Sequence, residues 1–103
     1  VTVIDEIAAE RRRQIEGEGW SPERDDSVQS DGQLAAAAGC YALHAAGIRL
    51  MAHAPRAPRN WPWHPSWWKP KDRRHDLIRA AALIVAEIER LDRAMAKCDS
   101  DAR

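Results

Sequence analysis

Trp61-Pro62-Trp63-His64-Pro65-Ser66-Trp67-Trp68-Lys69-Pro70 holds four of the five tryptophans in a chain of 103 residues. Lys71, Arg73 and Arg74 follow at once. Flat rings beside positive charge suit a ligand with both a π-face and a phosphate, which describes a nucleotide or a single nucleic-acid strand. The same rings also suit a second task, capping a small helical core, because aromatic side chains bury the most apolar surface. Both roles can be divided among the rings of one cluster. With Trp20 added, the candidate ligand-binding set is Trp20, Trp63, Trp67, Trp68, Lys69, Lys71 and Arg74.

The carboxylates form a second candidate set: Glu10, Asp25, Asp26, Glu89 and Asp92, with Glu87 nearby. Glu89 and Asp92 stand three apart, so on a helix they point to the same side. Such a pair holds Mg²⁺ through one or two carboxylates while a substrate phosphate completes the shell. Against this stands a plainer use, since acids on a helix form salt bridges and Glu89 with Arg93 is an obvious pair. Asp25-Asp26 either binds a metal, accepts from an arginine, or caps a turn. His44, His53, His64 and His75 show no zinc spacing with each other or with Cys40 and Cys98. No phosphate loop, nucleophile elbow or glycine fingerprint occurs. The run Arg11-Arg12-Arg13 reads as a solvated face.

A chain of this length makes one domain with a modest core, and such domains often gain stability by oligomerising. Sixteen basic and sixteen acidic residues balance, so no global field draws the protein to nucleic acid or membrane, and electrostatic recognition must be local. No signal peptide and no apolar run of bilayer length is present, which leads to the expectation of a reduced, cytoplasmic protein. Cys40, in an alanine-rich stretch, reads as a small buried hydrophobe.

The elements that must position these groups are helical. Thr2 can cap a first helix from about Val3 to Glu16, with Ile4, Ile7, Ala8, Arg11 and Ile15 at helical spacing and Gly17 and Gly19 at its end. Trp20 to Gln29 reads as an ordered loop opened by Ser21-Pro22. Ser30-Asp31-Gly32-Gln33 has the form of a capping box for a second, alanine-rich helix from about Asp31 to Ala46, ended by Gly47. Five of the six prolines fall between Ile48 and Pro70. A long regular helix is excluded there, although Ile48 to His53 could extend the second helix as a short turn. A long connection in a compact domain is a functional or a disordered one, and the tryptophans speak for order. The last helix begins near Asp72 and runs to about Lys97. Leu77, Ala81, Ile84, Ile88, Leu91 and Met95 step by four, three, four, three, four, a heptad seam that other helices or another subunit must cover. With no strand pattern, the fold class is all-α: a small helical bundle with a long Pro/Trp-rich connection before the last long helix. A single helical domain spans 1–97, followed by a flexible tail, 98–103.

Glu10-Arg11-Arg12-Arg13-Gln14, Glu18-Gly19-Trp20-Ser21-Pro22-Glu23-Arg24-Asp25-Asp26, Gly32-Gln33-Leu34, Cys40-Tyr41-Ala42, Trp61-Pro62-Trp63, Trp67-Trp68-Lys69-Pro70 and Arg73 to Arg93 together resemble a family of small phage and prophage proteins. The resemblance covers nearly the whole chain apart from the tail and residues about 47–60. These proteins in turn resemble the MazG-like or dATP/dGTP diphosphohydrolase group, helical proteins that act on nucleoside triphosphates with Mg²⁺. Glu89-Arg90-Leu91-Asp92 fits the later Glu-x-x-Asp motif of that group. The earlier Glu-x-x-Glu is missing, and Arg24 and Gln33 stand where the family pattern has histidine and glutamate. The resemblance implies a phage-type nucleotide-binding protein, homo-oligomeric, in the cytoplasm of a phage or prophage host. Three roles are compatible with it. As a Mg²⁺-dependent nucleoside triphosphate pyrophosphohydrolase, it would hold the ion with Glu10, Asp26, Glu89 and Asp92. As a non-catalytic sponge, it would sequester a nucleotide-derived immune signal. As a protein-interaction module, it would dock its tryptophans on a host partner. Nucleic acid stays open as a ligand.

Overall fold

The computed structural model describes residues 1–48 and 57–101. Four α-helices and one 3-10 turn make up the regular structure: α1 (Val3–Glu18), α2 (Pro22–Val28), α3 (Gln33–Ala45), the turn Pro65–Trp67 and α4 (Arg73–Asp101). No strand is found among the described residues, so the expected all-α class holds.

Local chemistry explains most of the boundaries. At α1 the Thr2 hydroxyl accepts from the Asp5 amide while the Asp5 carboxylate accepts from the Thr2 amide, a reciprocal cap. Gly19, not Gly17, closes this helix; its φ of 75° lies in the left-handed region that other residues enter at a cost. The segment after Trp20 is a helix rather than the expected loop. Ser21 caps it by accepting from the Arg24 amide, and Pro22 takes the first helical position, where a missing N–H costs nothing. The capping box expected at Ser30 does not form. Gly32, at φ 84°, is the N-cap of α3, and the Gln33 side-chain oxygen Oε1 accepts from the Asp31 amide instead. At α4 the Asp72 carboxylate accepts from the His75 amide and Asp76 accepts from the Lys71 amide. This last helix continues past the expected end to Asp101. Of the expected turn over Ile48 to His53, residues 49–53 lie outside the described ones.

The core is thin and built from small residues. Leu34, Ala37, Ala38, Cys40 and Tyr41 of α3 pack against Ala80, Leu83 and Ala86 of α4. Alanines on both sides let the helices approach closely. Ala57 and Trp61 close the top of this core, with Trp20, Trp63 and Trp68 packed half-buried around it. Burial pushes the Cys40 thiol upward, so it sits as a small neutral side chain; Cys98 is exposed and both are free. α1 and α2 lie along α4 as well.

The heptad seam does not face this core. Leu77, Ile84, Ile88, Leu91 and Met95 are 47–66% exposed. The face that α4 turns inward is the one carrying Ala80, Leu83 and Ala86. No helix among the described residues is long and apolar enough to cross a membrane.

Candidate functional site

The tryptophan cluster divides into buried and accessible rings. Trp61 is buried and meets Tyr41, Trp63 and Trp68 edge-on at 5.0–5.5 Å between centroids. Trp68 stacks on Tyr41 at 4.7 Å and meets the His44 ring edge-on. These two rings roof the core. Trp63 and Trp20 form a second pair at 5.2 Å, tilted by 45°. Rings that close are already in contact, so a base cannot slide between them; it can stack only on an outer face. Trp67 stands apart, 45% exposed, with the Lys69 ammonium 5.4 Å from its centroid.

Trp20, Trp63 and Trp67 line a cavity of about 210 Å³ together with Arg24, Gln29 and His64. α2 supplies Arg24 and Gln29, its C-cap residue. The 3-10 turn orients Trp67, and His64 caps that turn by accepting at Nδ1 from the Ser66 amide. Trp63 Nε1 donates to Gln29 Oε1 at 3.0 Å. An indole N–H only donates, so the Gln29 oxygen is the acceptor and its amide nitrogen stays a donor at the cavity wall. Cavities for drug-sized ligands run from about 300 Å³ upward, so this one fits a single planar group, with the rest of a ligand leaving through the open side. On the other side of Trp20 and Trp67 lies a smaller hollow of about 30 Å³, lined by Arg13, Glu18, Tyr41, Lys69 and Arg79 as well. Arg13 is held there by Glu10 and Glu18, and Arg79 donates to the Lys69 carbonyl and lies over the Tyr41 ring. Arg24 and Lys69 form no ion pair among the described residues, which leaves both cations available to an anion.

The other expected ligand residues are dispersed. The Lys71 side chain is exposed, and its backbone amide belongs to the α4 cap. Arg74 makes a two-pronged pair with Glu6, at 2.8 and 2.5 Å, joining α4 to α1 away from the tryptophans. Trp68 is a core ring. Arg24, Gln29 and His64 were absent from the expected set; the sequence signal for the first two was the Ser21-Pro22 helix start.

The acids are held by arginines. Arg11, only 6% exposed, reaches Asp25 at 3.3 Å, Glu89 at 3.4 Å and the Trp20 carbonyl at 3.3 Å. Its neighbours Arg12 and Arg13 do lie on the solvated face expected of all three. Arg93 grips Asp26 through Nε and Nη2, one edge of its guanidinium, at 2.8–3.1 Å. Glu10 accepts from Arg13 at 2.8 Å on both oxygens and from Gln14 at 3.1 Å. Burial alone pushes the Glu10 carboxyl up, but the Arg13 and Gln14 hydrogen bonds outweigh it and hold the group below its ordinary value. Asp26 is pulled down by the Arg93 hydrogen bonds. Asp25 goes the other way: burial raises it more than the Arg11 and Arg93 charges lower it. One oxygen of Asp25 and the side-chain oxygen of Gln14 are buried without a partner. No group of three or more His, Cys, Asp or Glu converges to hold a metal among the described residues. In this arrangement the Arg11 guanidinium lies between Asp25 and Glu89, where a Mg²⁺ shared by them would have to sit. For Asp25 and Glu89 to share an ion, Arg11 has to withdraw. Asp92 is exposed and joins neither cluster.

Compared with known proteins, the chain matches no family model, no curated protein and no solved structure.

Proposed function

We propose that this protein binds a nucleotide or a nucleotide-derived small molecule in the cleft between α2 and the tryptophan loop. The observation that carries this reading is the cavity walled by Trp20, Trp63 and Trp67 with Arg24 and Gln29 at its edge. An outer indole face takes the base, the Gln29 amide offers a donor to its polar edge, and Arg24 meets a phosphate as it leaves the cavity. Each part is weak alone. A stacked ring contributes about 1–3 kcal/mol and a charge-assisted hydrogen bond about 1.5–3 kcal/mol, which together reach at most about 6 kcal/mol, an affinity of roughly tens of micromolar at best.

Binding without hydrolysis is the role we favour. Four of the five candidate metal-binding acids, Glu10, Asp25, Asp26 and Glu89, are engaged by Arg13, Arg11 and Arg93. Sequestration of a nucleotide-derived signal, in the cytoplasm of a phage host as the resemblance to phage proteins suggests, asks nothing of those acids. A Mg²⁺-dependent pyrophosphohydrolase needs them freed.

Calorimetric titration with adenosine and guanosine mono-, di- and triphosphates tests the reading, with intrinsic fluorescence as a second signal. Trp63→Ala and Arg24→Ala are each expected to weaken binding about tenfold, or ~1.4 kcal/mol. Only the Arg24 loss should shrink at high salt. No saturable heat with any nucleotide, or unchanged affinity in both variants, overturns the binding site. Mg²⁺-dependent release of pyrophosphate by the wild type overturns the binding-only role.

A further inference from the structure

The seam on α4 is the largest apolar feature left uncovered. Leu77, Ile84, Ile88, Leu91 and Met95 are each about half exposed, and Ala81 and Val85 lie between them at intermediate burial. At 1.5 Å per residue the stripe from Leu77 to Met95 is about 27 Å long. Its exposed apolar area is on the order of 500 Å², at the upper end of what a monomer shows to water. With a polar rim it reaches the roughly 800 Å² per partner of a standard interface.

We infer that a second copy of this chain covers the stripe, with the two α4 helices antiparallel about a two-fold axis between Ile84 and Ile88. Two observations select this occupant and this direction. The steps four, three, four, three, four read the same in reverse, so an antiparallel copy sets Leu77 against Met95, Ala81 against Leu91 and Ile84 against Ile88. Each layer then pairs a seam residue with a different one, and the small Ala81 meets a large leucine. A parallel copy would set Ala81 against Ala81 and leave a gap in the seam. Charge points the same way. The first turns of α4 carry Arg73, Arg74 and Arg79 against Asp76, a net positive end. The C-terminal half carries Glu89, Asp92, Asp99 and Asp101 against Arg90, Arg93 and Lys97, a net negative end. Antiparallel pairing brings unlike ends and opposed helix dipoles together; parallel pairing stacks like on like. The surface is independent of the tryptophan cleft, so its failure and that of the nucleotide reading are separable.

Light scattering on the full chain at high micromolar concentration is expected to give twice the 11.6 kDa chain mass. Ile88→Glu, at a position already half exposed, should give a monomer with unchanged helix content. If that variant loses its circular dichroism, Leu91→Lys takes its place. Direction is read in a Cys98→Ser background with a short bismaleimide. The pair Leu77→Cys and Met95→Cys should cross-link between copies, 77 to 95, whereas each cysteine alone should not. A monomeric wild type, an assembly that neither charged variant disrupts, or self-linking through 77 alone or 95 alone overturns the inference.

Discussion

Arg11→Met removes the cation that Asp25 was buried with, and it should be the most damaging single polar change in the protein. Asp25 is 1% exposed and has one oxygen with no partner already. Removing one side of a buried pair costs about 3–5 kcal/mol, because the remaining charge has neither water nor counterion. The 3.3 Å contact is longer than the best charge-assisted bonds, which places this pair near the lower end, about 3 kcal/mol. The Glu89 arm adds little, since that carboxylate is half exposed. The lost bond to the Trp20 carbonyl adds roughly 1 kcal/mol. For a domain near 100 residues, each kcal/mol lowers Tm by roughly 4–8 °C, so a fall of more than about 12 °C is expected. Thermal and urea melts measure it. Acid should relieve the defect. A group whose folded-state pKa is raised gives stability that is full at low pH and lost as pH rises through that pKa. Burial already raises Asp25, and losing Arg11 raises it further, so the deficit of the variant should narrow as pH falls from neutral through that raised pKa. Arg11→Met with Asp25→Leu should recover most of the loss, because an apolar pair of similar volume replaces the ions. A single variant within about 1 kcal/mol of wild type, or a double variant no better than the single, refutes this account of the network.

Three further outcomes follow from the same contacts. Trp61→Ala should cost about 3–5 kcal/mol in a urea melt, as a buried ring that meets three other aromatics, whereas Trp67→Ala should cost under about 1 kcal/mol. Gly19→Ala should destabilise by about 1–2 kcal/mol in thermal unfolding, because its left-handed φ strains any Cβ although open space surrounds it. Glu6 and Asp26 are both held below their ordinary values by hydrogen bonds from Arg74 and Arg93, so they give stability above the unfolded pKa that is lost as pH falls through the folded one; Arg93→Gln should flatten the acid limb of a stability–pH profile.

α1 and α4 are legible in the sequence because their signals are long: a Thr2 cap and sixteen helical residues, then an unbroken apolar repeat. α2 is not, since seven residues are too few to show a period, and only Ser21-Pro22 marked its start. Missing α2 also hid Arg24 and Gln29 from the cleft. Arg11 falls at helical spacing with Ile4, Ala8 and Ile15, but Ile4 and Ala8 are exposed and the face that α1 buries carries Arg11 and Gln14, two polar residues that no apolar pattern marks. The acids Arg11 pairs with are 14 and 78 positions away, a distance no local pattern spans. The seam shows the reverse problem. Its period is real, but period alone does not say which apolar stripe faces inward. The alanines of α3 decide that: a helix surfaced by Ala37 and Ala38 packs closely against Ala80 and Ala86 with Leu83 between them, and the larger side chains of the seam are turned outward.

The tryptophan loop can serve the core and the cleft together because different rings do each task. Trp61 and Trp68 are fixed by Tyr41 and α3, and Trp63 is fixed by Trp61 and by its bond to Gln29. A ligand stacking on Trp63 therefore meets a ring already held in place and loses little to side-chain ordering. The opposite wall depends on α2, and α2 is tied down by charge rather than by apolar burial. Its only buried residue is Asp25, gripped by Arg11, while Arg93 grips Asp26 and the Pro22 carbonyl. Arg11 also holds the carbonyl of Trp20, a ring on the cleft wall. The same guanidinium thus fixes both the helix that carries Arg24 and the residue that carries the second stacking ring. That shared anchor makes the buried acids part of the cleft's framework without placing them in contact with a ligand.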